Sequence, residues 1–224
     1  MSSSVGPGFS VFLDFDTVVS SEHVGAYLLD RLTAGRWRSE VSEPVQQGWI
    51  GGRLLSEQQW QLLPANRTLL MAVASEVPVD PEFGSVVDAL RAAQAEVTVV
   101  SDGLGFYVAR SCAPYDVRVL ANDVDFRQGP LEYPYLDRCC SCLTCGMCKQ
   151  APIKEAKARG RTTVFASGAA SDRKAALLAD VLFARGTLAE WCSTFGVPFR
   201  PLDSLGGIVD LTRAPTGQRR DVGA

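Results

Sequence analysis

A doubly wound α/β fold, with helices on both faces of a parallel sheet and a helical cap inserted after the first strand, is what the sequence predicts. Three observations support it. Short runs of buried-strand character recur along the chain, each ending in small or polar residues. Segments with apolar residues at helical spacing alternate with them, the pattern of parallel β-α-β units. A long stretch of helical spacing, rich in tryptophan, separates the first run from the second.

The first strand lies in Val11-Phe12-Leu13-Asp14-Phe15-Asp16-Thr17-Val18 and runs out in two carboxylates spaced i, i+2. Alternation along a strand projects Asp14 and Asp16 to one side. Two acids so close repel each other unless a cation or a shared proton joins them, so the pair marks a site. Helical spacing follows over His23–Leu32 and Leu54–Val73, interrupted by Gly48, Gly51 and Gly52, and Pro78–Pro81 closes the region. Trp37, Trp49 and Trp60 supply its packing.

Beyond Glu82 the alternation resumes. Phe83–Ala95 is predicted as a helix and Glu96–Val100 as a buried strand ending at Ser101-Asp102-Gly103. Leu104–Cys112 is helical, Val117–Phe126 a strand pair, and a cysteine-rich stretch follows. Lys149–Arg159 is helical, and Thr162–Ala166 is a strand running into Ser167–Asp172. Arg173–Asp180 is helical, Val181–Ala184 a strand and Leu188–Phe195 a helix, with a loose polar tail after Leu211. The expected division is therefore a Rossmann-like α/β core of 1–16 and 80–224, a helical cap of 17–79, and a small β and cysteine-rich flap at 115–148 within the core. Ligands of such sheets bind beyond the carboxyl ends of the strands.

Composition narrows the function. With 224 residues, a net charge of −3 and 46% hydrophobic residues, the chain can bury a substantial core and has no basic footprint for nucleic acid. No apolar run is long enough for a membrane span, and Met1–Ser10 lacks the basic start and apolar centre of a signal peptide. A cytoplasmic protein acting on a small molecule is expected, with its seven cysteines as thiols or metal ligands. His23 is the sole histidine, which rules out multi-histidine metal sites and leaves a histidine-based triad with no candidate besides His23.

Asp14 and Asp16, Ser101, Lys149 and Asp172 all fall at or just past strand ends or helix starts. This set resembles the haloacid dehalogenase superfamily of aspartyl-nucleophile phosphatases over nearly the whole chain. Val24–Leu29, Ser101-Asp102-Gly103, Cys145–Lys149 and Leu182–Arg185 are similar to its phosphoserine phosphatase-like and methionine-salvage phosphatase-like branches. The resemblance implies hydrolysis of a small-metabolite phosphomonoester through an aspartyl-phosphate. Asp14 would be the nucleophile and Asp16 the general acid. Thr17, Ser101, Asp102, Gly103 and Lys149 would hold the phosphoryl group, and Asp14, Asp16 and Asp172 a magnesium ion.

The chain departs from the family pattern at three positions. Thr17 and Val18 replace the Gly-Thr of the first motif, so Thr17 is expected to take the backbone conformation a glycine would have used. Gly168 stands where the fourth motif has its first metal-binding acid, so a weakened magnesium site is expected. The alternative is a diverged homologue with altered or metal-independent chemistry on a non-phosphate substrate, or a non-catalytic binding protein.

Cys139, Cys142, Cys145 and Cys148 stand three apart and could close a tetrahedral zinc site; an iron–sulfur cluster and unligated thiols are the other readings. His23 is expected as a capping or surface residue, the tryptophans as cap core, Arg53 and Arg67 as solvated or anion-gripping cations, and Cys112 and Cys192 as core thiols.

Overall fold

The computed structural model describes residues 8–35, 37–38, 52–127, 129–136 and 145–213. Its centre is the strand β1 (Phe9–Asp14), in which every residue is buried. A strand apolar on both faces needs cover on both, which parallel sheets with crossover helices provide. The other strands are β2 (Glu96–Leu104), β3 (Arg118–Asn122), β4 (Thr162–Ser167), β5 (Val181–Ala184) and β6 (Arg200–Pro201), and the sheet order is β3-β2-β1-β4-β5-β6. β1 and β4 pair in parallel from Phe9 with Thr162 to Leu13 with Ala166, and β5 and β6 continue in parallel. In this order the chain winds outward in both directions from β1 and β4, so the crevice between their carboxyl ends is where a ligand would bind.

The helices are α1 (Val24–Thr33), α2 (Gly52–Leu62), α3 (Arg67–Ala74), α4 (Phe83–Ala92), α5 (Gly105–Cys112), α6 (Gln150–Ala158), α7 (Arg173–Ala176), α8 (Gly186–Phe195) and α9 (Gly206–Arg213). None of them is long and apolar enough to cross a membrane. The chain divides into two compact units, one of Met1–Val19, Asp80–Val99 and Lys149–Ala224, the other of Ser20–Val79 and Val100–Cys148. In the first, α6 packs on β1 and β4, and α4 packs on α9. In the second, α1 packs on α2 and α3, and α5 on β3.

Several predicted elements differ from those observed. The single helical run over Leu54–Val73 is two helices, because Pro64 interrupts it and the Asn66 side chain starts α3 afresh by accepting from Leu69 N at 3.0 Å. The strand pair over Val117–Phe126 is one strand plus a bridge between Asp123 and Glu132. α7 stops at Ala176, short of the predicted Asp180. α9 continues to Arg213, past the point where a loose tail was expected. Trp49 and two of the four cysteines of the proposed cluster, Cys139 and Cys142, lie outside the described residues.

Asp180 explains how the turn from α7 into β5 is held. Its carboxylate accepts from Thr163 N at 2.8 Å, from the Thr163 hydroxyl at 2.7 Å and from Lys157 at 2.6 Å. Burial pushes its pKa up, but these hydrogen bonds outweigh burial and hold it below the ordinary value. Asp180→Ala would leave the buried Thr163 N–H without its acceptor and is expected to cost about 1–3 kcal/mol by urea denaturation at neutral pH. A carboxyl with a depressed folded-state pKa stabilises above its unfolded pKa and stops doing so as pH falls through the folded value. The difference between wild type and variant should therefore shrink in acid.

Candidate active site

Asp14 is the last residue of β1, and β4 ends at Ser167, its neighbour across the sheet by one step of the Leu13–Ala166 register. Beyond β4 the chain makes a tight turn, Ala170–Asp172, that brings the Asp172 side chain back. Lys149 stands at the start of α6. Its ammonium donates to Asp14 Oδ1 at 2.6 Å and to Asp172 Oδ2 at 2.7 Å. The Ser167 hydroxyl also donates to Asp172 Oδ2, at 2.6 Å, and accepts from Ala169 N at 3.2 Å. The three charged side chains are between 5% and 9% exposed, so water does little to screen them. Asp14 Oδ2 and Asp172 Oδ1 take no further hydrogen bond from the described residues.

Charge here is unbalanced. Three acids, Asp14, Asp16 and Asp172, stand around a single ammonium, and Asp172 and Asp16 both act on Asp14. Burial pushes the Asp14 carboxyl up; Lys149 pulls it back, Asp172 and Asp16 push it up again, and it comes to rest at about 8. Burial works against the charge on Lys149, but Asp14 and Asp172 outweigh it and hold the ammonium above its ordinary value.

β1 stops at Asp14, so strand alternation does not extend to Asp16 as the sequence suggested. Asp16 nevertheless keeps an extended backbone, with φ −68° and ψ 129°, and is buried. Thr17 then turns the chain with φ 67°, the left-handed region that a β-branched residue seldom enters. This is the glycine-like conformation expected of it. Its hydroxyl oxygen is sealed from solvent and has no hydrogen-bond partner. It lies over Gly168: a Cβ added there would come within 2.5 Å of Thr17 Oγ1.

Ser101, Asp102 and Gly103 belong to the second unit and form a network within it. Ser101 is fully buried, and its Oγ accepts from Gly103 N at 3.1 Å. Asp102 Oδ1 accepts from Gly146 N at 3.1 Å, Met147 N at 2.9 Å and Asn122 Nδ2 at 3.2 Å. Its carbonyl accepts from Asn122 Nδ2 and the Ser56 hydroxyl. The Asp102 carboxylate thus anchors the backbone immediately before Lys149. Gly146 has no room for a side chain, since a Cβ would meet Asn122 Oδ1 and the Tyr133 ring at 2.7 Å. Asn122 was missed from the sequence, although a polar residue ending the apolar run Val119-Leu120-Ala121 is a visible signal.

The donors present fit magnesium. That ion binds through one or two carboxylates and keeps several waters, and Asp14 and Asp172 each have an oxygen outside the Lys149 bridge. A divalent cation would also offset acids that outnumber the one ammonium, and would favour the ionised form of Asp14. Among the described residues no group of three or more His, Cys, Asp or Glu side chains is arranged as a metal cage. The zinc reading finds no support, as Cys139 and Cys142 lie outside the described residues; Cys145 and Cys148 form no disulfide among them.

Other expectations have structural counterparts. His23 Nδ1 caps α1 by accepting from Ala26 N at 3.4 Å. Trp37 and Trp60 are core residues, their indole N–H groups bonded to Asp30 and to the Gly129 carbonyl. Arg53 and Arg67 lie over the rings of Tyr133 and Phe126. Cys112 and Cys192 are buried, and burial pushes the Cys112 thiol up to about 12.

No family model matches the chain. It is 23% identical to a 2-hydroxy-3-keto-5-methylthiopentenyl-1-phosphate phosphatase of Brevibacillus brevis, over 84% of this chain and 87% of that protein. Among solved structures it resembles a phosphoserine phosphatase from T. onnurineus, with a TM-score of 0.67, 16% identity and coverage of 100% and 99%. It also resembles a phospho-aspartyl intermediate analogue of phosphoserine phosphatase, with a TM-score of 0.65, 14% identity and coverage of 83% and 90%. These likenesses show that the chain shares the α/β fold of the phosphoserine phosphatase structures. Over most of its length its sequence is also similar to curated phosphatases.

Lys149→Met would leave two buried carboxylates without their counter-charge where Asp14 is ionised, and a loss of about 3–5 kcal/mol is expected in urea denaturation above about pH 8. The deficit should narrow as pH falls below that value and Asp14 takes a proton. A deficit independent of pH would show that packing, not charge, is the main contribution of Lys149.

Proposed function

We propose that this chain is a magnesium-assisted phosphatase that hydrolyses a small-metabolite phosphomonoester through an aspartyl-phosphate on Asp14. The observation that carries the reading is the buried Lys149 bridge, which holds the Asp14 carboxylate beside Asp172 at the end of β1. A carboxylate oxygen of Asp14 forms a bond to phosphorus as the bond to the leaving alcohol oxygen breaks. Asp16 delivers a proton to that oxygen, so the leaving group departs as the neutral alcohol. Water then attacks the phosphorus of the aspartyl-phosphate, Asp16 takes up its proton, and phosphate leaves with Asp14 regenerated. Lys149 keeps Asp14 aligned and offsets negative charge as the phosphoryl group arrives.

In this reading Asp14, Asp172 and the backbone carbonyl of Asp16 would hold a magnesium ion, which would supply positive charge against the phosphoryl oxygens. Thr17, Ser101, Asp102 and Gly103 are assigned to the phosphate-binding set. For Asp102 the support is indirect, since its Oδ1 already accepts three N–H groups and anchors the segment before Lys149. The helical segment 17–79 is taken as the cap that selects the substrate, and cytoplasmic location is inferred from the cysteine usage. The names of the curated relatives make 2-hydroxy-3-keto-5-methylthiopentenyl 1-phosphate the first compound to test. A diverged, non-phosphatase homologue is not favoured, because Asp14, Asp16, Lys149 and Asp172 are all present and buried together.

A panel of phosphomonoesters with magnesium should reveal phosphate release that is abolished in Asp14→Asn; no turnover of any member by wild type would refute the reading. The charge balance adds a second expectation. Because Asp14 is pushed up to about 8 without metal, magnesium binding below that pH should expel a proton, and above it should not. Titration calorimetry in buffers of different ionisation enthalpy measures this directly. Heats independent of buffer near neutral pH would contradict it.

A further inference from the structure

Thr17 combines three features with no explanation in packing alone. It is a β-branched residue in the left-handed region, with φ 67° and ψ 0°. Its hydroxyl oxygen is sealed from solvent and unpartnered. That oxygen lies in the space a side chain at position 168 would need, with a Cβ there 2.5 Å from Thr17 Oγ1 and 3.5 Å from both Thr17 Cβ and Arg185 Cγ. Strained backbone and an unsatisfied buried polar atom, coinciding on one residue, are signs of a functional constraint.

The surroundings indicate what the oxygen is for. Thr17 directly follows Asp16, beside a site with an excess of negative charge. The lone pairs of that oxygen are uncommitted, and a hydroxyl oxygen is the hard donor type that magnesium binds, at about 2.0–2.1 Å. A neutral hydroxyl can contribute a lone pair without adding to the repulsion among the three carboxylates.

We propose that Thr17 Oγ1 is an oxygen ligand of the divalent cation, and that glycine at 168 is what leaves room for it. The two positions act as one device: a side chain at 168 displaces the hydroxyl, and without the hydroxyl the absence of a side chain there gains nothing. This rests on the magnesium-dependent reading above and adds a residue to it. It also means that an acid introduced at 168 alone would meet Thr17 before it met the metal.

The test is titration calorimetry of the full chain with magnesium chloride, alongside thermal melting without metal. Thr17→Val should bind magnesium about tenfold more weakly, as expected for loss of one polar interaction with a charged group, while Thr17→Ser stays within about twofold of wild type. Gly168→Ala should weaken binding as much as Thr17→Val, and the double variant should be no weaker than either single one. Without metal, Thr17→Val should melt no lower than wild type, since it removes an unsatisfied hydroxyl. Should that variant fold poorly, Thr17→Ala removes the same oxygen without the β-branch and must show the same weakening. Wild-type magnesium affinity in either hydroxyl-free variant, or in Gly168→Ala, overturns the proposal while leaving the phosphatase reading intact. A wild-type chain that binds no magnesium overturns both.

Discussion

The Lys149 ammonium, held between Asp14 and Asp172, is the interaction on which the candidate site depends. It joins three segments far apart in sequence: the end of β1, the start of α6 and the turn after β4. Their meeting requires the parallel register of β1 with β4, in which Leu13 faces Ala166 and the next residues are Asp14 and Ser167. A one-residue slip would turn Asp14 to the other face of the sheet. Burying one cation among three acids is tolerable only with close geometry, and the hydroxyl of Ser167 and the amide of Ala169 extend the network that supplies it. Burial first, and then the neighbouring acids Asp172 and Asp16, lift Asp14 toward the physiological range, and the surplus of acids makes the site receptive to a cation.

Local rules are broken close to this network. Thr17 accepts a conformation suited to glycine, and its hydroxyl goes without a hydrogen bond. Elsewhere the chain caps its helices with His23 and Asn66 and satisfies Asp180 fully. Ala34, Gln94 and Asp116 also have positive φ, but among the described residues Thr17 alone joins that backbone to an unpartnered buried polar atom, as a functional site would produce. In the second unit, Asp102 contributes differently, fixing the amides of Gly146 and Met147 just upstream of Lys149 in the chain.

Much of the fold could be deduced from the residues. Continuous apolar runs at Val11–Leu13 and Val164–Ala166 identify central parallel strands, because only strands covered on both faces lack alternation. The acids at the strand ends and Lys149 were likewise visible. Local signals failed where a single residue overrides a pattern: Pro64 splits one helical run in two, and β1 ends before Asp16. The Thr17–Gly168 relation could not be deduced at all. In sequence these are two separate departures from a motif, 151 positions apart; only the fold shows that the side chain gained at one occupies the space left at the other.

The central claim is that Asp14, oriented by Lys149, becomes covalently phosphorylated. Acid-quenching the protein during turnover of a phosphomonoester with magnesium, then mapping the phosphorylated peptide by mass spectrometry, tests it most directly. The account predicts an acid-stable, base-labile phosphoryl group on the peptide containing Asp14, absent in Asp14→Asn. Turnover with no phosphorylated peptide, or with phosphate on a different residue, would contradict it.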